Sequence, residues 1–212
     1  MKIVEPSCII ESEINEEEIL KNIEKAGRTA YKSEERITQD SARIFVSKII
    51  KSGHHSVIEH ITVTVRVICD RGISHEIVRH RIASYTQEST RYCNYSKGKF
   101  GKEITVVKPG FWDMDNPAYK EKYNIWLSTV EVIEKAYHKL IDLGAKPQEA
   151  RSILPNSLKT EIVMTMNLRE WRHFFLLRTG REAHPQMREI TIPLLEEFRK
   201  KIPIIFDDII IQ

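Results

Sequence analysis

The chain has 212 residues, 41% of them hydrophobic, and 33 basic against 30 acidic side chains give a formal charge of +3. That is enough for one domain with a real core, or two small ones, and the ordinary composition speaks against a disordered or fibrous protein. So mild a charge argues against bulk nucleic-acid binding, and no stretch approaches the roughly 20 apolar residues of a membrane span.

At the N-terminus, Met1-Lys2-Ile3-Val4-Glu5 lacks the apolar core of a secretory leader, and Cys8, Cys69 and Cys93 are sparse singles. Both features predict a reduced, cytoplasmic protein without disulfides. Asn15 with Glu18 has the spacing of a capping box, opening a helix with Ile19, Ile23 and Ala26 on one face. A second helix is expected from Asp40 to Ser52, presenting Ile44, Phe45, Lys48 and Ile49, with Gly53 to stop it. From Ile61 to Cys69, Val63, Val65 and Val67 alternate with polar residues, the pattern of a half-buried strand. Gly72 to Arg81 reads as a helix, Tyr92 to Gly101 as loop, and Glu103 to Lys108 as a short extended piece. Pro117 opens a long helix to Leu143, ended by Gly144, and Pro147 to Leu154 is a short one closed by Pro155. A strand over Lys159–Met166 leads to Asn167 and Glu170, a second capping pattern that opens a helix to Arg178. A last helix runs from His184 to Lys201, and Ile204–Ile211 is a candidate closing strand. Without regular βαβ alternation, the expectation is a single α+β domain over 1–212, a mixed or antiparallel sheet flanked by helices.

Four segments carry chemistry. In Arg79-His80-Arg81, followed by Ser84 to Arg91, three cation-forming side chains precede a run of hydroxyls and amides. Such a trio also suits the carbonyl end of a helix. Guanidinium forks match phosphate, while hydroxyls and amides orient a neutral polar ring, so the segment suits a phosphorylated ligand bearing a heterocycle. Gly53 to His60 holds three histidines and Glu59, but the spacing is not H-E-x-x-H and no cysteine pair supports it, so no metal is expected. Ala150-Arg151-Ser152-Ile153-Leu154-Pro155 offers one arginine in a helix ended by proline. In the helix after Asn167, Trp171, Phe174, Phe175 and Leu177 read as core, whereas Arg169 and His173 share a face with Arg172 beside them. No Gly-x-Gly-x-x-Gly fingerprint is present.

In order and spacing these segments resemble the flavin-dependent thymidylate synthases: R-H-R, seven residues and Ser89; H-x-S-x-x-E-H over 54–60; A-R-x-x-L-P over 150–155; and A-H-x-Q-x-x-E-I from Ala183. The resemblance implies that family's fold and its reaction, dUMP to dTMP. Methylenetetrahydrofolate donates the carbon, NADPH reduces FAD, and no enzyme cysteine acts as nucleophile. It further implies FAD contacts from Ser56, Arg79, His80, Arg81, Gln87, Asn167, Arg169 and His173, with His54 and Glu59 close by. For dUMP it implies Glu76, Arg79, Gln87, Glu88, Ser89, Thr90, Arg91, Arg151 and Arg178, with Arg178 stabilising charge on the uracil. A homotetramer with active sites between subunits, free of nucleic acid and membrane, completes the expectation. This chain departs from the family's usual residues at Glu76 (Gln), Gln87 (Glu) and Thr90 (Gly). Two other readings stay open: a flavin reductase without methyl transfer, and a phosphate- or nucleic-acid-binding module with Tyr85, Tyr92 and Tyr95 stacking on bases.

Overall fold

Strands and helices mix without regular alternation in the computed structural model, which describes residues 1–112 and 115–212. In order they are β1 (Lys2–Val4), β2 (Ser7–Ile10), α1 (Glu16–Arg28), α2 (Ser41–Lys51), β3 (Thr62–Asp70), α3 (Arg71–Ile77), β4 (Ala83–Gln87), β5 (Thr105–Val107), α4 (Pro117–Asp142), α5 (Pro147–Ala150), β6 (Lys159–Asn167), α6 (Leu168–Arg178), α7 (Pro185–Lys201) and α8 (Pro203–Phe206). The expected α+β class holds. One sheet has the order β2-β3-β6-β4, and β1 pairs parallel with β5, Lys2 opposite Thr105. Among the described residues no helix is long and apolar enough to cross a membrane.

Local chemistry explains the boundaries. Asn15 accepts from the Glu18 amide and Asn167 from the Glu170 amide, each satisfying a donor that a helix start leaves orphaned. Asp70 does the same for Ile73, a cap at the end of β3. Gly53 turns the chain after α2 at φ +69°, and Gly144 follows α4 at φ +91°, a region that favours glycine. Along β3, Val63, Val65, Val67 and Cys69 are buried, as their alternation predicts.

Several expectations need correction. Helix α3 stops at Ile77, so the basic trio lies beyond it in a turn, where the Arg79 amide donates to the Glu76 carbonyl. The face that α2 buries is Ala42, Val46 and Ile50, while Ile44 is exposed; in a run as apolar as Ile44 to Ile50, the stripe can be phased more than one way. Ile204–Ile211 is not a strand: Pro203 starts a helical turn, and Ile205, Phe206 and Ile209 are buried. Strands β1, β2 and β4 had no counterpart in the sequence reading.

The chain divides into two compact units, Met1–Ser7, Val67–Arg79 and Thr86–Ile162 in one, Cys8–Arg66, His80–Tyr85 and Val163–Gln212 in the other. The first packs Ile104, Val106, Val130, Tyr137 and Leu158 into a core beside α4. The second is organised on aromatic rings: Trp171 lies 5.6 Å from Phe174, 5.6 Å from Phe175 and 5.0 Å from Phe198.

Candidate functional site

In the first unit, the loop after β4 is tied to the segment from Pro147 to Ile153. Arg151 Nη1 donates to Thr90 Oγ1 at 3.4 Å, and Arg91 Nε donates to Gln148 Oε1 at 3.3 Å. Both arginines are exposed, and neither forms an ion pair among the described residues. Their hydrogen bonds are long and to neutral oxygens, so no acidic group among the described residues compensates the positive charge. Thr90, 7% exposed, replaces the small residue expected there and uses its hydroxyl as the anchor for Arg151. Ser89 Oγ accepts from the Arg91 amide at 3.3 Å, which orders the turn. Two guanidiniums without a carboxylate partner among the described residues, Arg91 on a turn with hydroxyls and Arg151 held against it, have the chemistry an anion would require. Arg79 is exposed with no side-chain partner among the described residues.

The structure accounts for Gln87. Its amide donates to Ser74 Oγ at 2.8 Å and to Thr160 Oγ1 at 3.1 Å, both fully buried. Ser74 directs its own proton to the Arg71 carbonyl at 2.9 Å, so it can only accept from Gln87. A glutamate here would aim a lone pair at a lone pair. Glu88 is engaged inside the chain: its carboxylate accepts from Tyr95 Oη at 2.9 Å and from Lys159 Nζ at 2.8 Å. The sequence does not point to Gln148, Thr160 or Lys159, each of which reaches its partner across 57 or more positions, nor to Ser74, 13 positions from Gln87. Glu76 is half-buried on α3.

Of the expected cofactor residues, Ser56, His80, Arg81, Asn167, Arg169 and His173 fall in the second unit, whereas Arg79 and Gln87 belong to the first. Arg169, exposed on the first turn, pairs with Glu59 at 2.5 Å, joining the 53–60 segment to α6. Ser56 and His54 are exposed on that segment, and Arg81 is exposed without an acidic partner among the described residues. The Asn167 oxygen is committed to its cap. His80 is buried, its ring edge-on to Phe174 at 4.8 Å and 5.8 Å from the exposed His173. Arg178 Nε donates to His80 Nε2 at 2.9 Å. Helix α7 holds the end of α6 in place: Thr191 donates to the Arg178 carbonyl at 2.8 Å and Arg188 to the Thr179 carbonyl at 2.7 Å. From the Ala183 to Ile190 element, expected from the family pattern, Arg188 contributes to this brace on the carbonyl next to that of Arg178. Arg172 is structural, bidentate on Asp208 and also donating to the Ile205 carbonyl.

Electrostatics separates the two sets. Burial first, then Arg178 and His173, lower His80 to about 4, and the facing Glu170 does not offset them. An unfolded histidine titrates near 6.5, so between pH 6.5 and 4 the unfolded chain binds the extra proton. Stability should therefore be flat in this group above pH 6.5 and fall as pH drops, by about 2 kcal/mol at pH 5. Denaturant midpoints at pH 7 and 5 check this against His80→Gln, which should lose that share of the pH dependence; equal slopes would refute it. Burial also raises all three thiols, Cys8 to about 11, Cys69 to about 12 and Cys93 by a lesser amount, so none is a thiolate at neutral pH.

A flavin dinucleotide needs cations for its diphosphate and polar edges for its ring. In the second unit Arg81, Ser56, Asn167, Arg169 and His173 offer donors of that chemistry, with side chains on helix as well as loop. His80, Glu170 and His173 also bring one ligand atom each within 4.8 Å of one another, a grouping with the composition of a metal site.

The thymidylate synthase complementing protein family matches residues 14–204. The chain is 37% identical over 176 residues to the flavin-dependent thymidylate synthase of Pyrococcus furiosus, covering 82% of this chain and 70% of that protein. It is 35% identical over 175 residues to the protein of the same name in Geobacter sulfurreducens, covering 82% and 72%. In fold it is similar to the UMP/dUMP methylase PolB of Streptomyces cacaoi, solved with 5-Br dUMP, at TM-score 0.78 and 23% identity over 98% of this chain and 96% of that one.

Proposed function

The chain belongs to the thymidylate synthase complementing protein family, and from that premise we propose that it is a flavin-dependent thymidylate synthase converting dUMP to dTMP. The carbon donor is 5,10-methylenetetrahydrofolate, and NADPH is the reductant. The observation that carries the reading is the pairing of Arg91 and Arg151 around Thr90, two exposed guanidiniums with no carboxylate partner among the described residues. A nucleotide monophosphate supplies the missing charge, and Arg79 adds a third donor fork.

In this reading Ser89, Thr90 and Arg91 hold the phosphate and sugar, while Arg178 faces the uracil edge. Glu76 and the carbonyl of Gln87 serve the base, and Glu88 acts indirectly by ordering Tyr95 and Lys159. C5 of uracil must become nucleophilic, lose its proton and accept the methylene carbon. Arg178 favours this by stabilising negative charge that develops across the ring. A guanidinium suits the task because it stays protonated throughout. No thiol need add to the ring, in keeping with the raised Cys8, Cys69 and Cys93. Ser56, Arg79, His80, Arg81, Asn167, Arg169 and His173 hold FAD, which when bound supplies the hydride. The whole chain acts as one such domain, supported by a family match that runs through both compact units. Its setting is a cytoplasmic homotetramer with active sites between subunits.

The test is NADPH oxidation by purified protein supplied with FAD, with and without dUMP. Oxidation should rise sharply on adding dUMP, coupling a nucleotide site to a flavin site, and dTMP should form once methylenetetrahydrofolate is present. Oxidation indifferent to dUMP would instead support a flavin reductase.

A further inference from the structure

Glu170 looks in the sequence like the third residue of a helical cap, and its backbone does serve that end, donating to Asn167. Its side chain points elsewhere. Glu170 Oε1 lies 3.4 Å from His80 Nδ1, and both atoms are buried with no hydrogen-bond partner of standard geometry among the described residues. Across the imidazole, Nε2 accepts from Arg178 Nε at 2.9 Å. A guanidinium can only donate, so Nε2 presents a lone pair, and a neutral ring then carries its single proton on Nδ1. That is the atom facing Glu170.

We propose that Glu170 is a positioning residue: by accepting the Nδ1 proton of His80 it keeps Nε2 unprotonated, and the lone pair there fixes the guanidinium plane of Arg178. The inference rests on the reading of Arg178 as the group that faces uracil. His80 is thereby given a role as a spacer between two side chains of α6, one turn pair apart. Phe174 holds the ring from its edge, and Tyr85 Oη donates to the His80 carbonyl at 2.9 Å, so ring and backbone are both fixed. His80 also stays neutral at physiological pH, which the lone pair on Nε2 requires.

The same three side chains do not serve equally well as a metal site. A cation on Nδ1, while Nε2 accepts from Arg178, would require an imidazolate with the guanidinium alongside. A proton on Nδ1 satisfies both orphaned atoms without that demand. Without Glu170, the proton is free to occupy Nε2, where it would meet the N–H of Arg178 head on. The guanidinium would then swing from its place.

Histidine labelled with ¹⁵N reads this directly. Side-chain nitrogen shifts, with His80 assigned by comparison with His80→Gln, should show Nδ1 protonated and Nε2 bare in the wild type, and a growing Nε2–H form in Glu170→Ala. Glu170→Gln keeps an acceptor oxygen and should restore the wild-type tautomer. In turnover, Glu170→Ala should lower kcat about tenfold with KM for dUMP and flavin content little changed, and Glu170→Gln should recover most of it. Protonated Nε2 in the wild type, or a Glu170→Ala protein with unchanged tautomer and kcat, would overturn the proposal. The expected tautomers in a wild-type protein that makes no dTMP would overturn the functional reading and leave the hydrogen-bonded chain from Glu170 to Arg178 supported.

Discussion

Arg178→Ala should abolish dTMP formation to within detection while the purified protein keeps its FAD. Preorganised donors aimed at developing charge are commonly worth about 10²–10³ in kcat, and a full cation against a ring that must become electron-rich belongs at the upper end. The guanidinium reaches that task well supported, its Nε on His80 and its backbone carbonyl on Thr191. Removing it leaves Arg91, Arg151 and the α6 residues Arg169 and His173 untouched, so nucleotide and flavin binding should persist. The signature is a collapse of kcat with flavin absorbance retained and a dUMP Kd raised only modestly. Turnover within about threefold of wild type would mean that another group activates the uracil. Arg178→Lys sharpens the result: a point charge without the fork lacks the edge that His80 holds, so it should rescue little.

Trp171→Ala should bring the protein close to unfolding. The ring is fully buried among Phe174, Phe175 and Phe198, and its Nε1 donates to the Val63 carbonyl at 3.1 Å. Truncating a core tryptophan typically costs about 3–5 kcal/mol, and losing the hydrogen bond to the Val63 carbonyl adds about 1 kcal/mol. Against a total stability of about 5–15 kcal/mol, that is a large share. Since α6 carries Arg169, His173 and Arg178, flavin retention should fail along with the fold. Trp171→Phe, which keeps most of the apolar contact and loses the hydrogen bond, should lose roughly 1–2 kcal/mol in denaturant titration. A comparable, small loss for both variants would show that the aromatic cluster is not what holds this helix.

The sequence announces features whose cause is local. Asn167 and Glu170 read as a cap and are one, and the valines of β3 alternate because one face of that strand is buried. The arginines of the site were legible as chemistry, since their order and spacing are a property of the chain. What they touch was not. Thr90 under Arg151, Gln148 under Arg91 and His80 under Arg178 are separated by 61, 57 and 98 positions, and no local pattern encodes such pairings. Strand β4 was missed for a related reason: Ser84, Tyr85, Thr86 and Gln87 lack the apolar face by which a strand is recognised. The apolar run after Pro203 misled in the opposite sense, because periodicity cannot distinguish a buried turn from a buried strand in so short a stretch.

Helix α6 sets a length as well as a face. Arg169 stands on its first turn and Arg178 on its last, and at about 1.5 Å per residue the nine steps between them span about 13.5 Å. A loop can stretch or sag; a helix gripped by a tryptophan at one side and by α7 at its tip behaves as a ruler. One residue inserted between those arginines would turn the second through about 100° and send it around the barrel of the helix. The interval between the two cations is therefore graduated in whole residues, and the chain can be remodelled widely in its loops while this one measure is kept.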